Sequence, residues 1–172
     1  MSHVFLVGFM GAGKSTVACL VADQLGRPCV DIDRLVESEE GCTIAQIFSE
    51  QGEAVFRRLE SDALKSLADA PPSVVACGGG VVTVAENRAL LKVLGRVVYL
   101  DVTADEMLAR VGEDSRRPLL ASGDARSSAE LLLDARESLY TAVADVTVDT
   151  VGRTPRAVAA EVTDYLRSED AS

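Results

Sequence analysis

The sequence predicts an α/β protein: a parallel sheet covered by helices on both faces. Three observations predict it. Short, β-branched, apolar runs alternate along the chain with longer stretches of helical spacing, the order that builds a parallel sheet. The short runs read as strands buried on both faces. The length, 172 residues with 48% hydrophobic and 26% charged, suits one core of ordinary globular composition.

The elements follow in order. Val4 to Val7 is the first strand, and Lys14 to Leu25 carries helical spacing. Cys29 to Ile32 is a second short run, and Leu35 to Glu39 reads as helix. Thr43 with Gln46 three residues later is a capping-box pattern that opens another helix. Helical character continues with a break at Gly52 to about Leu67, until Pro71-Pro72 stops it. Val74-Val75-Ala76 is a third strand; Ala85 to Leu94 is helical, with Gly95 punctuating its end. Val97 to Val102 is the fourth strand, and Thr103 caps Ala104 to Val111. Gly112 to Asp124 is polar and without period. Ser127 to Ala144 is helical, Val146 to Val148 is a fifth strand, and Pro155 to Leu166 is a closing helix. The last residues, Ser168 to Ser172, read as a frayed polar tail.

Composition removes several classes of function. The net charge is −10, from 27 Asp plus Glu against 17 Lys plus Arg, a surface that repels nucleic acid and anionic membranes. No apolar run reaches the roughly 18–20 residues of a membrane-spanning helix, and the start lacks the pattern of a secretory signal. Cys19, Cys29, Cys42 and Cys77 show no close spacing and read as reduced thiols of a cytosolic protein. His3 is the only histidine, which leaves no basis for a zinc site or a Ser-His-Asp triad. The cations are unevenly chosen, 14 Arg against Lys14, Lys65 and Lys92. Arginine suits two-pronged recognition of carboxylate and phosphate, so an acidic chain rich in it points to a local anion site.

The strongest chemical signal is Gly8-Phe9-Met10-Gly11-Ala12-Gly13-Lys14-Ser15-Thr16, which fits G-x-x-x-x-G-K-[ST] between a strand and a helix. Its glycines let backbone N–H groups turn to a phosphate, Lys14 reaches the outer phosphates, and the Ser15 hydroxyl can coordinate Mg²⁺. Asp31-Ile32-Asp33 closes the second strand, where alternation puts both carboxylates on one side. On local sequence Asp33 fits a helix cap as well as a ligand; its place at the carboxyl end of a strand favours function. Cys77-Gly78-Gly79-Gly80 after the third strand either brings N–H groups close to a ligand or only makes a tight turn. Arg57, Arg58, Arg116, Arg117, Arg136 and Arg153 taken singly read as surface charges. An Arg-bearing irregular segment beside a phosphate loop can instead close over phosphates. Glu60 stands one turn from Arg57 and can pair with it.

Assembled, these residues resemble the shikimate kinase family of the bacterial type, within the nucleoside-monophosphate-kinase-like branch of P-loop proteins. The resemblance runs from Val4 to about Leu166. It rests on Asp31-x-Asp33, Phe56-Arg57-x-x-Glu60, Gly78-Gly79-Gly80, Arg117-Pro118-Leu119-Leu120 and Arg136-Glu137-Ser138-Leu139-Tyr140. It implies a single domain with a five-stranded parallel sheet of order 2-3-1-4-5. The core would span 3–167, with a substrate-binding helical region at about 33–62 and a lid at about 112–124. It implies transfer of the γ-phosphoryl of ATP to the 3-hydroxyl of shikimate, with Mg²⁺, by a cytoplasmic monomer. Lys14, Asp33 and Arg117 would be catalytic, with Asp33 holding the substrate hydroxyls. Gly11, Ala12, Gly13, Lys14, Ser15 and Thr16 would bind ATP, with Arg110, Arg153 and Pro155 flanking adenine. Arg57 and Arg136 would hold the substrate carboxylate, helped by the backbone of Gly78, Gly79 and Gly80. Phe48, Phe56 and Leu119 would shape the pocket and Glu60 would orient Arg57. Ser15 would bind Mg²⁺ directly, with Asp31 in its outer shell.

The chain departs from the family at Ala76-Cys77, where a Ser or Thr is common, so no hydroxyl is available there. Arg116 beside Arg117 leaves the phosphate-facing arginine to be inferred from the spacing to Pro118. Two other functions share part of this pattern: a kinase for another polyol acid such as gluconate, and a nucleotide-dependent module with no acceptor. Arg57, Arg136 and the triple glycine argue against the first, and the even spread of candidate substrate residues along the chain argues against the second.

Overall fold

The computed structural model describes residues 2–111 and 125–170. Strands β1 (His3–Val7), β2 (Cys29–Asp31), β3 (Val74–Ala76), β4 (Gly95–Asp101) and β5 (Val146–Asp149) form one parallel sheet in the order β2-β3-β1-β4-β5, as the family resemblance implies. Between them run α1 (Lys14–Leu25), α2 (Ile32–Glu40), α3 (Ile44–Gln51), α4 (Glu53–Ser66), α5 (Ala85–Leu94), α6 (Ala104–Val111), α7 (Ala125–Val143) and α8 (Pro155–Asp170).

Position in the sheet explains the strand sequences. The central β1 is buried at all five residues, because it pairs on both edges and is covered on both faces; hence an unbroken apolar run. At the edges, β2 is only partly buried and β5 alternates around buried Val148. Right-handed crossovers then assign the helices. The chain steps one way from β1 to β2 and the other way for every later strand. That puts α1 on one face, where it packs on α8, and α4, α5 and α7 on the other. Buried apolar residues from both layers form a continuous core that includes Phe5, Leu6, Val17, Ile32, Leu64, Leu91, Met107, Tyr140 and Val162.

The turn chemistry matches the sequence at two places. Thr43 and Gln46 close the expected capping box on α3, and Gly52, at φ 86°, ends α3 and begins α4. The lone His3 is a buried staple. Ser73 N–H donates to its Nδ1 (3.1 Å), so Nε2 carries the proton and donates to the Leu67 carbonyl at 2.9 Å. This ties β1 to the turn between α4 and β3.

Several expectations are corrected. Cys19 on α1 and Cys29 on β2 form a disulfide, with Cα atoms 5.2 Å apart, while Cys42 and Cys77 are free. The pairing is tertiary: α1 reverses at Gly26 and returns Cys29 beside its own side, which a search for close spacings misses. Closing so short a loop, with a separation of 10 residues, should stabilise the fold by about 2–3 kcal/mol. Urea titration with and without dithiothreitol measures this, and an unchanged midpoint would remove the contribution. Gly95 does end α5 where the sequence puts its end, its N–H bonding the Leu91 carbonyl, but it is extended, with φ −179°, and is also the first residue of β4, where a Cβ would run into the His3 backbone. Finally, α8 continues to Asp170 instead of fraying after Leu166, and Glu169 meets Arg96 at 3.2 Å.

Candidate active site

The site lies beyond the carboxyl ends of β1, β2 and β3, where open parallel sheets bind ligands. Two backbone features shape the phosphate loop. Gly8 (φ +145°) passes so close to the Leu100 carbonyl that a Cβ would collide with it. Gly13 takes a left-handed φ of 88° as α1 begins, and no side chain caps that helix start. The first N–H groups of α1 are thereby left to an anion. A cavity of about 350 Å³ opens there, lined by Met10, Gly11, Gly13, Lys14, Ser15, Thr16, Asp31, Asp33, Cys77, Gly78, Gly79 and Arg110.

Within it, Lys14 Nζ donates to the carbonyls of Gly8 and Phe9, both at 2.8 Å. These bonds fold the side chain back over the loop. Ser15 Oγ donates to Asp31 Oδ2 at 2.6 Å. Asp31, not Asp33, is the cap of α2, accepting from Arg34 N–H at 3.3 Å. The strand ends at Asp31 and Asp33 lies in the first helical turn, so strand alternation does not bring the two carboxylates together. They share the cavity because a helix starts between them and its first turn returns Asp33 toward Gly78, where an added Cβ would lie 3.0 Å from its Oδ1. Cys77 is fully buried, and desolvation pushes its thiol far above the usual range, so it offers neither charge nor a hard oxygen.

Beyond Gly78 and Gly79 the wall changes character. Arg57 of α4 bonds Glu60 Oε2 at 2.8 Å and Glu53 at 3.2 Å, with its guanidinium 5.1 Å from the Phe56 ring centre. Phe48 packs on Phe56 with ring centres 4.9 Å apart. Gly80 leaves room for the Arg57 guanidinium, which a Cβ there would displace. Glu60 is 0% exposed and its Oε1 has no hydrogen-bond partner among the described residues. Burial is therefore the main cause that raises its pKa, against the opposing pull of Arg57 and with nearby Asp33 adding to the rise. A raised folded pKa contributes stability fully below the ordinary glutamate value of 4.5 and loses it as pH rises through the folded value. The unfolding free energy of the wild type minus that of Glu60→Gln should fall over that window. A difference independent of pH between 4 and 8 would reject this.

The third part of the wall is α7. Arg136 lies near the Tyr140 phenol, and that hydroxyl donates to the Gly79 carbonyl. The Tyr140 ring is fully buried and stacks on Tyr99 with centres 5.1 Å apart. Burial pushes its phenol up to about 12, so it is neutral at ordinary pH. Sequence reading placed Arg136 but gave Tyr140 no role; the available signal was their spacing of four on one helix.

Arg110 reaches from α6 across the loop mouth, donating to Gly11 O (3.1 Å) and Thr150 O (2.7 Å) while pairing with Glu106 at 2.8 Å. Arg153 is instead occupied by its own surroundings, the Asp149 carbonyl at 2.9 Å and Glu161 at 2.7 Å, and does not line the cavity. Pro155 is the first residue of α8, a position that suits its missing N–H. The expected lid at 112–124, with Arg116, Arg117, Pro118, Leu119 and Leu120, lies outside the described residues.

Comparison with known proteins agrees with this geometry. The family model for shikimate kinase matches residues 10–167. The shikimate kinase of Psychrobacter arcticus is 45% identical over 172 residues, covering 100% of this chain and 92% of its own. That of Halorhodospira halophila is 43% identical over 168 residues, covering 98% and 95%. Among solved structures, shikimate kinase from Acinetobacter baumannii in complex with shikimate superposes with a TM-score of 0.96 at 37% identity, covering 100% of this chain and 96% of that one. The Aquifex aeolicus enzyme gives 0.85 at 34%, covering 98% of each chain. With the phosphate loop, Asp33 and Gly78 lining one cavity and relatives of this identity along the whole chain, the chain belongs to the shikimate kinase family of ATP-dependent phosphotransferases.

Proposed function

We propose that the chain transfers the γ-phosphoryl of ATP to the 3-hydroxyl of shikimate, yielding shikimate 3-phosphate and ADP on the route to chorismate and the aromatic amino acids. One observation supports this reading. The phosphate loop, Asp31, Asp33, Gly78 and Gly79 line one cavity, and the Arg57 guanidinium stands against Gly80, the next glycine along the chain.

Phosphoryl transfer asks for positioning and charge stabilisation more than for covalent help. The loop N–H groups and the α1 N-terminus hold the β- and γ-phosphates. Lys14, with Arg117 from the expected lid, neutralises the oxygens of the moving group. Asp33 accepts a hydrogen bond from the acceptor hydroxyl, aims its oxygen at the γ-phosphorus and takes the proton late. Arg57 and Arg136 grip the acid's carboxylate with Gly79 and Gly80, while Phe48, Phe56 and Leu119 border the ring. Arg110, Arg153 and Pro155 flank the adenine; Arg153 would have to leave Glu161 to touch it.

The chemistry of the donor set fits Mg²⁺. Ser15 Oγ and Asp31 Oδ2, 2.6 Å apart, are hard oxygens, and this ion commonly takes few protein ligands beside waters and phosphates. Ser15 would bind it directly and Asp31 through its outer shell. Bound, it supplies charge neutralisation for the phosphates.

No helix among the described residues is long and apolar enough to cross a membrane. We place the enzyme in the cytoplasm with its ATP, as one catalytic domain acting as a monomer, with no nucleic-acid or membrane partner. Cytoplasmic thiols would reduce the exposed Cys19–Cys29 bond, so the reduced protein is the form to assay. The test is ADP release with ATP and Mg²⁺, comparing shikimate with gluconate. Faster turnover of gluconate would overturn the substrate assignment. Absence of any binding heat for millimolar shikimate with ADP present would favour a module without acceptor.

A further inference from the structure

We propose that Cys19 and Cys29 are a reversible thiol–disulfide site, open to small-molecule disulfides and coupled to the nucleotide: the bond between them sets the spacing of Ser15 and Asp31, so the oxidised chain holds a Mg²⁺–nucleotide complex more tightly than the dithiol chain. The coupling rests on the Mg²⁺–nucleotide reading above.

Two links join α1 to β2. Ser15 and Cys19 are four residues apart on α1 and share a helix face. Cys29 and Asp31 are two apart on β2 and share a side of the strand. Ser15 bonds Asp31 at 2.6 Å, and Cys19 is joined to Cys29 with Cα atoms 5.2 Å apart. Four helical residues rise about 6 Å and two strand residues span about 6.6 Å. The two links therefore stand as successive rungs between the same two elements.

The covalent rung matters because β2 is otherwise lightly held. It is a three-residue strand at the edge of the sheet, bonded to β3 on one side and only partly buried. Asp31 has little freedom of its own. Its Oδ1 accepts from Arg34 N–H at 3.3 Å as the cap of α2, which leaves Oδ2 to face Ser15. The carboxylate thus sits where the end of β2 puts it, and any drift of β2 from α1 carries Asp31 away from Ser15 Oγ. The disulfide limits that drift, and a ligand that needs both oxygens meets a pair already ordered.

The bond is also placed to be made and broken. Both cysteines are exposed, and Cys19 lines the same concave patch as Ser15, Asp31 and Arg34. Cys77, by contrast, is buried. Oxidised glutathione reacts with one thiol to give a mixed disulfide and one reduced glutathione. The second thiol then attacks that bond and releases the other. Each protein sulfur gives up one electron, glutathione disulfide takes both, and the two thiol protons end on the two glutathiones.

Coupling of this kind is reciprocal, so it is read without any assay of turnover. The purified wild-type chain is equilibrated in glutathione buffers of graded ratio, quenched in acid and alkylated, and the Cys19–Cys29 bond is counted by peptide mass. Three arms are compared: ADP with Mg²⁺, ADP with a chelator, and no nucleotide. ADP with Mg²⁺ should favour the disulfide about 5-fold, which is about 20 mV for this two-electron couple, and ADP with a chelator less than about two-fold. Calorimetry should show the same 5-fold as a tighter Kd for ADP with Mg²⁺ in the disulfide form. Cys19→Ser should bind like the dithiol form and ignore dithiothreitol. No shift with Mg²⁺, an equal shift with ADP alone, a variant still sensitive to dithiothreitol, or no Cys19–Cys29 bond at any ratio would each overturn the proposal. A chain that binds ADP with Mg²⁺ in neither redox state overturns the nucleotide reading along with the coupling. Equal binding in both states overturns the coupling alone.

Discussion

Replacing Lys14 by methionine is expected to lower kcat by about 10³-fold while leaving the shikimate Kd within about two-fold. The magnitude is that of removing one well-placed donor from a site where charge develops during transfer. Methionine keeps the length and apolar stem of lysine, so the loss isolates the ammonium. In the structure that ammonium bonds the Gly8 and Phe9 carbonyls, both at 2.8 Å, and so sits at the mouth of the loop whose N–H groups receive the phosphates. Steady-state rates with ATP saturating separate the effect on turnover from any effect on nucleotide binding. A fall in kcat of less than about 10-fold, or a matching loss of shikimate affinity, would remove Lys14 from the role given to it.

Arg136→Ala is expected to weaken shikimate binding by about 2–5 kcal/mol, the cost of truncating one partner of a buried charge-assisted contact, with ATP binding nearly unchanged. The two arginines of the wall are not equivalent. Arg57 shares its charge with Glu60 at 2.8 Å and Glu53 at 3.2 Å, whereas Arg136 lies in the field of Glu60 and near the neutral Tyr140 phenol. A substrate carboxylate therefore competes with two paired carboxylates at Arg57. Calorimetry with shikimate and with ADP measures both affinities, and equal losses for the two ligands would count against the assignment.

What was legible in the sequence was local in origin. The phosphate loop is a contiguous motif between a strand and a helix, and each of its parts is needed by its neighbours. Thr43 with Gln46, and Gly52, act within one turn of themselves, and they appear in the structure where the sequence puts them. Arg57 and Glu60, three apart on a helix, were expected to meet and do. The misplaced features had two origins, a local cap that overrode strand alternation and a contact between residues far apart along the chain path. Asp31 and Asp33 were read as alternating strand residues, but the strand stops at Asp31 because its side chain caps the following helix. The cysteines looked unpaired because Cys19 and Cys29 approach only after α1 reverses at Gly26. Gly95 ends α5 as the sequence indicates, while the close approach of the His3 backbone on the neighbouring strand is a second, non-local constraint on it.

By itself the amino-acid sequence determined the α/β class, the nucleotide loop and the richness in arginine of an otherwise acidic chain, net −10. Those depend on periodicity, local steric need and residue chemistry, all written within a few residues of one another. Tertiary structure decided what each charge is worth. Arg153 is taken up by Glu161, Arg110 bridges the loop to Thr150, and Glu60 is buried with one oxygen unsatisfied among the described residues. Tertiary structure also gave Tyr140 its place between α7 and the triple glycine. The value of a charge or a hydroxyl depends on burial and on partners brought from far along the chain, and only the folded packing supplies either.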